Sequence, residues 1–464
     1  LDEVLGDAGL GQPDSGTQTC DIEVTPSDLE VQQEWAFEGQ DGELSAVSMP
    51  AVADLTGDGT PDVVATLYPP GGWDGLGHLY VLDGATGRLH FRIEDPVGAT
   101  AHPAIGDIDA DGEPEIVSIG RGTGDEELGL CQGRLLAWSA DGTLEWEGET
   151  VFGGCQYAVG LADFEGDGDV EIYAGGLLAD HEGREIFNVE QGIFGIQASV
   201  AADLDEDGEL ELIIGSLALR LDGSVYYDVQ NEIPYGHPQV ADLDGDRRAE
   251  VLLATPAGPR LIQHDGTLDP IVDESEQDPQ NPSSRCNWGW MPAAIGDFDD
   301  DGYAEIVGPG HSSICLANAD LEPLWDHCTQ DDGYAAITAF DLFGDGGAEV
   351  LYTDNRWFYI FSEHGEILFR TESLSVTQMD FPLVVDADAD GQAEVLVISN
   401  DGYEQQQQPA VRSFGSAGVA WAGTRTIWNQ YTFHETNVED DATIPSPEPL
   451  HWREQNSFRI QHVR

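Results

Sequence analysis

One acidic loop recurs eight times in this chain, and its spacing limits the folds available to it. In Asp297-Phe-Asp-Asp-Asp-Gly-Tyr-Ala-Glu305, carboxylates stand at positions 1, 3, 5 and 9, with glycine at position 6. The other copies begin at Asp54, Asp107, Asp163, Asp203, Asp242, Asp341 and Asp386. The mean interval is about 47 residues, a period that belongs to solenoids, propellers and arrays. Closely spaced carboxylates on a tight turn supply the oxygen ligands that calcium requires, and glycine allows the sharp backbone turn at position 6.

An EF-hand would need an acidic residue at position 12 and a helix on each side. Position 12 holds Ala65, Ser118, Ala174, Ile214, Leu253, Gly308, Tyr352 and Val397, and none is acidic. Each loop is followed by a short β-rich run such as Glu-Ile-Val-Ser or Glu-Val-Leu-Val. The loops therefore join strands. Apolar strands lead into them (Met49-Pro-Ala-Val-Ala, His102-Pro-Ala-Ile-Gly, Phe381-Pro-Leu-Val-Val), and Asp-Gly turns follow at Asp83, Asp141, Asp222 and Asp265. Asp-Gly between apolar runs is a strong hairpin signal. Four antiparallel strands per repeat make one propeller blade, so an all-β propeller of eight blades is expected, with seven as the alternative.

Composition narrows the partners. The chain of 464 residues has 89 acidic residues against 17 basic ones, all arginine, for a net charge of −72. Nucleic acid and anionic membranes would be repelled. Eight divalent ions would leave about −56, which points to a saline extracellular setting screened by salt or further cations. No apolar run reaches the length needed to span a bilayer. The start at Leu1 rather than Met reads as a mature secreted form after removal of a signal peptide.

The repeat unit resembles the FG-GAP/VCBS repeat of integrin-α-like propellers. The residues that carry the likeness are Ala202-Asp-Leu-Asp-Glu-Asp-Gly-Glu-Leu-Glu-Leu212 and Gly296-Asp-Phe-Asp-Asp-Asp-Gly-Tyr-Ala-Glu-Ile306. The resemblance covers residues 35 to 425 and implies calcium in the loops of an extracellular adhesive or structural protein. Residues 1–34 then form an N-terminal extension able to lend a strand to a neighbouring subunit. Residues 426–464 form an aromatic and polar segment packed on the ring or on a neighbour.

Four loops are complete: Asp107/Asp109/Asp111/Glu115, Asp203/Asp205/Asp207/Glu211, Asp297/Asp299/Asp301/Glu305 and Asp386/Asp388/Asp390/Glu394. The third, Asp163/Glu165/Asp167/Glu171, carries a longer acid at position 3. The first has Thr56 there and retains Asp54, Asp58 and Asp62; the fifth, Asp242/Asp244/Asp246/Glu250, has Arg247 in place of glycine. In the seventh, Phe343 occupies position 3, so weak or absent metal is expected. Five to eight calcium ions follow from this reading.

Six cysteines suggest three disulfides, with Cys315 facing Cys328 across a hairpin, Cys131 near Cys155, and Cys20 left for Cys286. No nucleophile elbow, zinc-protease or phosphate-loop motif is present. His102 and His237 read as packed strand-end residues, and Trp73, Trp288, Trp290 and Trp357 as loop packing with a secondary capacity to stack on sugars. The expected function is non-enzymatic: a secreted structural or adhesive propeller that self-assembles into a surface layer or filament. A glycan- or protein-binding adhesin and a polysaccharide lyase are the alternatives.

Overall fold

The computed structural model describes residues 24–25, 29–72, 75–121, 133–151, 157–189, 198–233, 235–255, 258–269, 291–310, 312–329, 335, 337–375, 380–400 and 408–464. Cys20, Cys131, Cys155, Cys286, Trp73, Trp288 and Trp290 lie outside these residues, as does nearly all of the expected N-terminal extension.

Eight antiparallel blades follow one another among the described residues, and Val97–Gly98 joins blades one and two into one sheet. Blade one is Ala51–Ala53, Asp62–Leu67, Leu76–Asp83 and Leu89–Arg92. Blade six is Ala294–Gly296, Glu305–Gly310, Ser313–Ala317 and Pro323–Cys328. Among the described residues of blade five, a bridge between Ile262 and Leu268 stands beside the third strand. The first two strands of each blade are almost wholly buried, as Val-rich segments packed on both faces should be.

Each acidic loop joins the first two strands of its blade, and its length sets their register. The acid at position 9 opens the second strand and pairs with the residue just before position 1: Ala53 with Asp62, Gly106 with Glu115, Gly296 with Glu305, Val385 with Glu394. A one-residue slip would turn every buried side chain to the wrong face.

The last blade is completed from the far end of the chain. Leu383–Val385, Glu394–Ile398 and Val411–Ser416 take Val31–Phe37 as their outer strand, with Val31 opposite Ser416 and Phe37 opposite Val411. Apolar clusters run around the ring without a break: blade eight with one, two and three, three with four, four with five and six, six with seven, seven with eight.

A second repeated contact ties the outer strands together. The Trp35 ring from the closing strand lies over Gly87 of blade one, and its Nε1–H donates to the Gly84 carbonyl at 2.7 Å. Phe91 covers Gly142, Trp146 covers Gly183, Phe187 covers Gly223, Tyr227 covers Gly266, and Trp325 covers Gly365. In all these cases an aromatic of one blade sits on the hairpin glycine of the next. Several of these glycines leave no room for a Cβ and have positive φ, so the hairpin turn and the aromatic seat require the same residue.

Residues after the last blade form the hub. Val52 and Trp428 exchange backbone hydrogen bonds at 2.8 and 2.9 Å, and Ile295 and Phe458 do so at 3.0 and 2.9 Å. The Ile105 N–H donates to the Asn429 carbonyl, the Leu161 N–H to Gln430 Oε1, the Asp386 N–H to the Arg425 carbonyl, and His451 Nε2 faces the Val240 carbonyl. The inner strands of seven blades thus find partners on this segment: blades one and six by exchanged backbone bonds, blades two, three, five and eight by the single bonds just named, and blade seven through a bridge between Ala339 and Ile460. Such edge groups would cost free energy if buried without partners.

Across the blade-six hairpin, Cys315 is opposite Asp326 and Cys328 is opposite Ser313. The expected direct facing of the two cysteines is corrected to a diagonal placement, because the register sets them two residues out of step. Neither is a free thiol.

Candidate metal centre in the blade loops

In the sixth loop the Asp297 carboxylate accepts from the backbone N–H groups of Asp301 at 3.1 Å and Gly302 at 2.9 Å. Asp301 Oδ1 accepts from the Tyr303 N–H, and Glu305 Oε2 accepts from the Phe298 N–H at 2.9 Å. The loop wraps around its own carboxylates. Both Asp297 oxygens and Oε2 of Glu305 accept from the backbone, and ligand atoms of Asp297, Asp299 and Glu305 lie within 4.8 Å of one another.

The bond from the position-2 N–H to the position-9 acid recurs in every loop: Leu55 to Asp62, Ile108 to Glu115, Phe164 to Glu171, Leu204 to Glu211, Leu243 to Glu250, Leu342 to Glu349 and Ala387 to Glu394. Clusters equivalent to the sixth form at Asp107/Asp109/Glu115 and Asp203/Asp205/Glu211, and a variant at Asp242/Asp244/Asp246. Asp111 and Asp207 donate their N–H groups to Asp107 and Asp203, and their own carboxylates accept from positions 7. Asp163, Asp167 and Glu171 repeat this wrapping in the third loop, where Glu165 lies close enough to Asp167 and Asp163 for their charges to raise its pKa, after burial. Asp54, Asp58 and Asp62 do so in the first, and Asp386, Asp388, Asp390 and Glu394 in the eighth.

A requirement at position 4 escaped the sequence reading. Both positions 4 and 6 take left-handed φ, with glycine at position 4 in four loops and Ala110, Glu206, Asp300 and Ala389 in the others. A non-glycine residue there carries strain on the order of 1 kcal/mol. In the fifth loop Arg247 adopts φ 74° at position 6 and still donates its N–H to Asp242 at 3.0 Å. Arginine in place of glycine leaves the turn intact.

The seventh loop keeps the same wrapping, with Gly346 donating to Asp341 at 2.8 Å and Leu342 to Glu349 at 2.9 Å, while Phe343 points outward. Phe343 at position 3 hides in the sequence that Asp341, Asp345 and Glu349 take the same places as the ligand acids of the other loops. The signal that could have found Glu349 is its place at the start of a buried strand, as in the other seven loops.

The position-9 acids are buried among other carboxylates. Burial first, then the charges of Asp109 and Glu145, push Glu115 up to about 8; burial and then Asp205 and Asp203 push Glu211 to about 8. Glu305 rises to about 7 and Glu394 to about 9, again by burial first. Two buried oxygens, Glu250 Oε1 and Asp386 Oδ1, have no hydrogen-bond partner. Orphaned carboxylate oxygens whose ionisation is disfavoured fit an all-oxygen cradle for a hard divalent cation. In two loops a side chain of the protein competes for a carboxylate: His90 Nε2 is 3.0 Å from Asp62 Oδ1, and Arg220 Nη2 is 3.5 Å from Asp205 Oδ2.

The remaining sequence candidates are packing residues. His102 is buried and its Nδ1 accepts from the Met49 N–H at 2.9 Å; His237 is buried at the start of its strand. Trp357 stacks against the guanidinium groups of Arg356 and Arg370.

Residues 54–118, 107–174 and 242–308 match the family described as FG-GAP-like repeat. The chain carries three FG-GAP-like repeats. Residues 54–174 and 242–308 thus take in the first three loops, the fifth and the sixth, and the same wrapping recurs in the loops outside the matched stretches. No curated protein sequence matches the chain. Among solved structures, the biofilm matrix protein Bap1 of V. cholerae superposes with a TM-score of 0.78 at 18% identity, over 94% of this chain and 100% of that one. The Bacillus licheniformis rhamnogalacturonan lyase PL11 gives 0.55 at 16% identity, over 94% and 81%. The exotype rhamnogalacturonan lyase YesX gives 0.55 at 16%, over 84% and 76%. At these identities the likeness is one of fold.

Proposed function

We propose that this FG-GAP-like propeller is a secreted structural or adhesive protein whose loops bind calcium and whose surface associates with further copies or with extracellular protein or glycan. The observation that carries the reading is the axis, which is filled by residues 425–464 of the same chain and bonded to the inner strands. Burying one's own tail at the hub suits a rigid scaffold. The end-to-end fold likeness to a protein titled as a biofilm matrix component supports the same reading.

Calcium would be held by Asp54, Asp58 and Asp62 in the first loop, by the four acids of each of loops two to six and eight, and by Asp341, Asp345 and Glu349 in the seventh. Bound there, it neutralises the carboxylates and fixes the turn between the two inner strands. Surplus carboxylates at a net charge of −72 give further divalent ions a way to bridge copies. A strand donated to a neighbour would come from residues before Val31, since Val31–Phe37 is paired within its own ring. Disulfides among Cys20, Cys131, Cys155, Cys286, Cys315 and Cys328 would suit an oxidising compartment. No helix among the described residues is long and apolar enough to cross a membrane.

Electron microscopy and sedimentation of the purified protein, with calcium and with chelator, test this reading. Calcium-dependent layers, filaments or oligomers are expected, and isolated discs at high concentration with calcium would count against assembly. A lyase is the second reading, favoured by the fold likeness to two rhamnogalacturonan lyases. Release of unsaturated sugars from rhamnogalacturonan would establish it. Against it, Arg134, Arg184, Arg220, Arg356, Arg453 and Arg464 each lie beside a carboxylate, which leaves them poorly placed to gather an acidic polymer.

A further inference from the structure

Beyond the blade loops, a group of different chemistry lies where the hub meets blade five. His434, Glu448 and His451 bring one ligand atom each within 4.8 Å of one another. The two imidazoles are buried and their rings are 4.2 Å apart, with Phe458 stacked on His434 and Trp452 set edge-on to His451.

The hydrogen bonds decide which nitrogens are available. His434 Nδ1 faces the Thr432 carbonyl at 3.1 Å, and His451 Nε2 faces the Val240 carbonyl at 2.8 Å. A carbonyl only accepts, so those two nitrogens carry the protons. The lone pairs of neutral rings are then His434 Nε2 and His451 Nδ1. A ring nitrogen anchored on a backbone carbonyl, with the other turned toward a carboxylate, is the arrangement that orients histidine for metal.

His434 Nε2 lies 2.5 Å from Glu448 Oε1, which also accepts from Thr436 Oγ1 at 3.1 Å. A lone pair and a carboxylate at that distance require a cation between or beside them, either a proton or a metal ion. The donor set separates this site from the loops. Two imidazole nitrogens and one carboxylate suit zinc, whereas all-oxygen loops suit calcium.

We propose that His434, Glu448 and His451 form a zinc site, with a fourth position open, that clamps the C-terminal hub to the inner strand of blade five. Glu448 is the least buried member, and an outward shift of its carboxylate would admit an ion with ligand distances of about 2.0–2.2 Å. Zinc displaces the shared proton. The ion then links three stretches: the segment at His434, the stretch from Glu448 into the one-turn helix His451–Glu454, and, through the Val240 carbonyl, blade five.

The test uses the full chain in excess calcium, so that the oxygen sites are filled, with zinc added and measured by competition against a chromophoric chelator. One zinc per chain is expected, and cobalt in its place should give the visible absorption of a four-coordinate, nitrogen-containing site. His451→Gln and Glu448→Gln should each lower zinc affinity by at least about 100-fold and abolish that cobalt spectrum. Where His451→Gln fails to fold, Glu448→Gln makes the same comparison at a less buried position. No zinc uptake by the parent protein in excess calcium, or equal affinity in the folded variants, would overturn the proposal.

Discussion

In the sixth loop the Phe298 N–H donates to Oε2 of Glu305 at 2.9 Å, so the acid that ends the loop is held by the residue that opens it. The same bond in all eight blades makes the position-9 acid a structural acceptor first. Its second oxygen is the one offered to a cation.

Glu305→Gln separates those two roles. The amide oxygen still accepts from Phe298, while the charge disfavoured by burial and by Asp299 and Asp301 is gone. In chelator the variant should be more stable than the parent by about 1–3 kcal/mol near pH 8, because burial holds the parent's Glu305 up at about 7. In calcium the order should reverse, since one ligand is lost. Paired melting curves with and without calcium read both signs, and destabilisation in both conditions would contradict this account.

Acid should destabilise the calcium-loaded ring in part through its buried histidines. Burial first, then Arg459, hold His102 near about 3 and His237 near about 4, against 6.5 in the unfolded chain. The unfolded state therefore binds more protons between those values. The histidine contribution is fully present above about pH 6.5 and is lost as pH falls toward 4, with a limiting slope of about 1.4 kcal/mol per pH unit for each residue. His102→Asn keeps an acceptor for the Met49 N–H and cannot titrate, so it should flatten the curve. Denaturant melts across that range measure it.

Trp428→Ala tests the hub. Trp428 is fully buried, stacks on Phe433 with ring centroids 4.4 Å apart, and its backbone is bonded to Val52. A loss of about 3–5 kcal/mol is expected. Hydrogen exchange should quicken at the Val52 and Ile295 amides together, because one continuous segment partners both.

Gly87→Ala tests ring closure. A Cβ there would sit 2.3 Å from the Trp35 ring at φ 65°, whereas Gly42, with φ 89°, has open space around it. Gly42→Ala should show backbone strain alone, and Gly87→Ala should cost a further 1–3 kcal/mol, roughly, from overpacking. Denaturation midpoints of the two variants check the difference.

Much of this architecture was legible in residues close together in the chain. The interval between loops predicts eight blades, and the nine-residue spacing from Asp297 to Glu305 sets the strand register, because both depend on local turn geometry and on period-2 burial. Position 4 was obscured because Ala110, Glu206, Asp300 and Ala389 adopt a conformation their side chains do not announce. The seventh loop was undervalued because Phe343 changes a ligand position without touching the backbone bonds that shape the turn.

Other features depended on packing between distant residues. The closing of blade eight by Val31–Phe37, with Gln33 opposite Phe414, is set by the shape of the ring. The route of residues 425–464 through the axis has no periodic pattern to betray it. The sequence by itself determined the blades, since each is built from neighbours in the chain. The hub, where His434, Glu448 and His451 meet Val240, arises only in the tertiary structure, because those contacts exist only once the inner strands of seven blades present their edges to one segment.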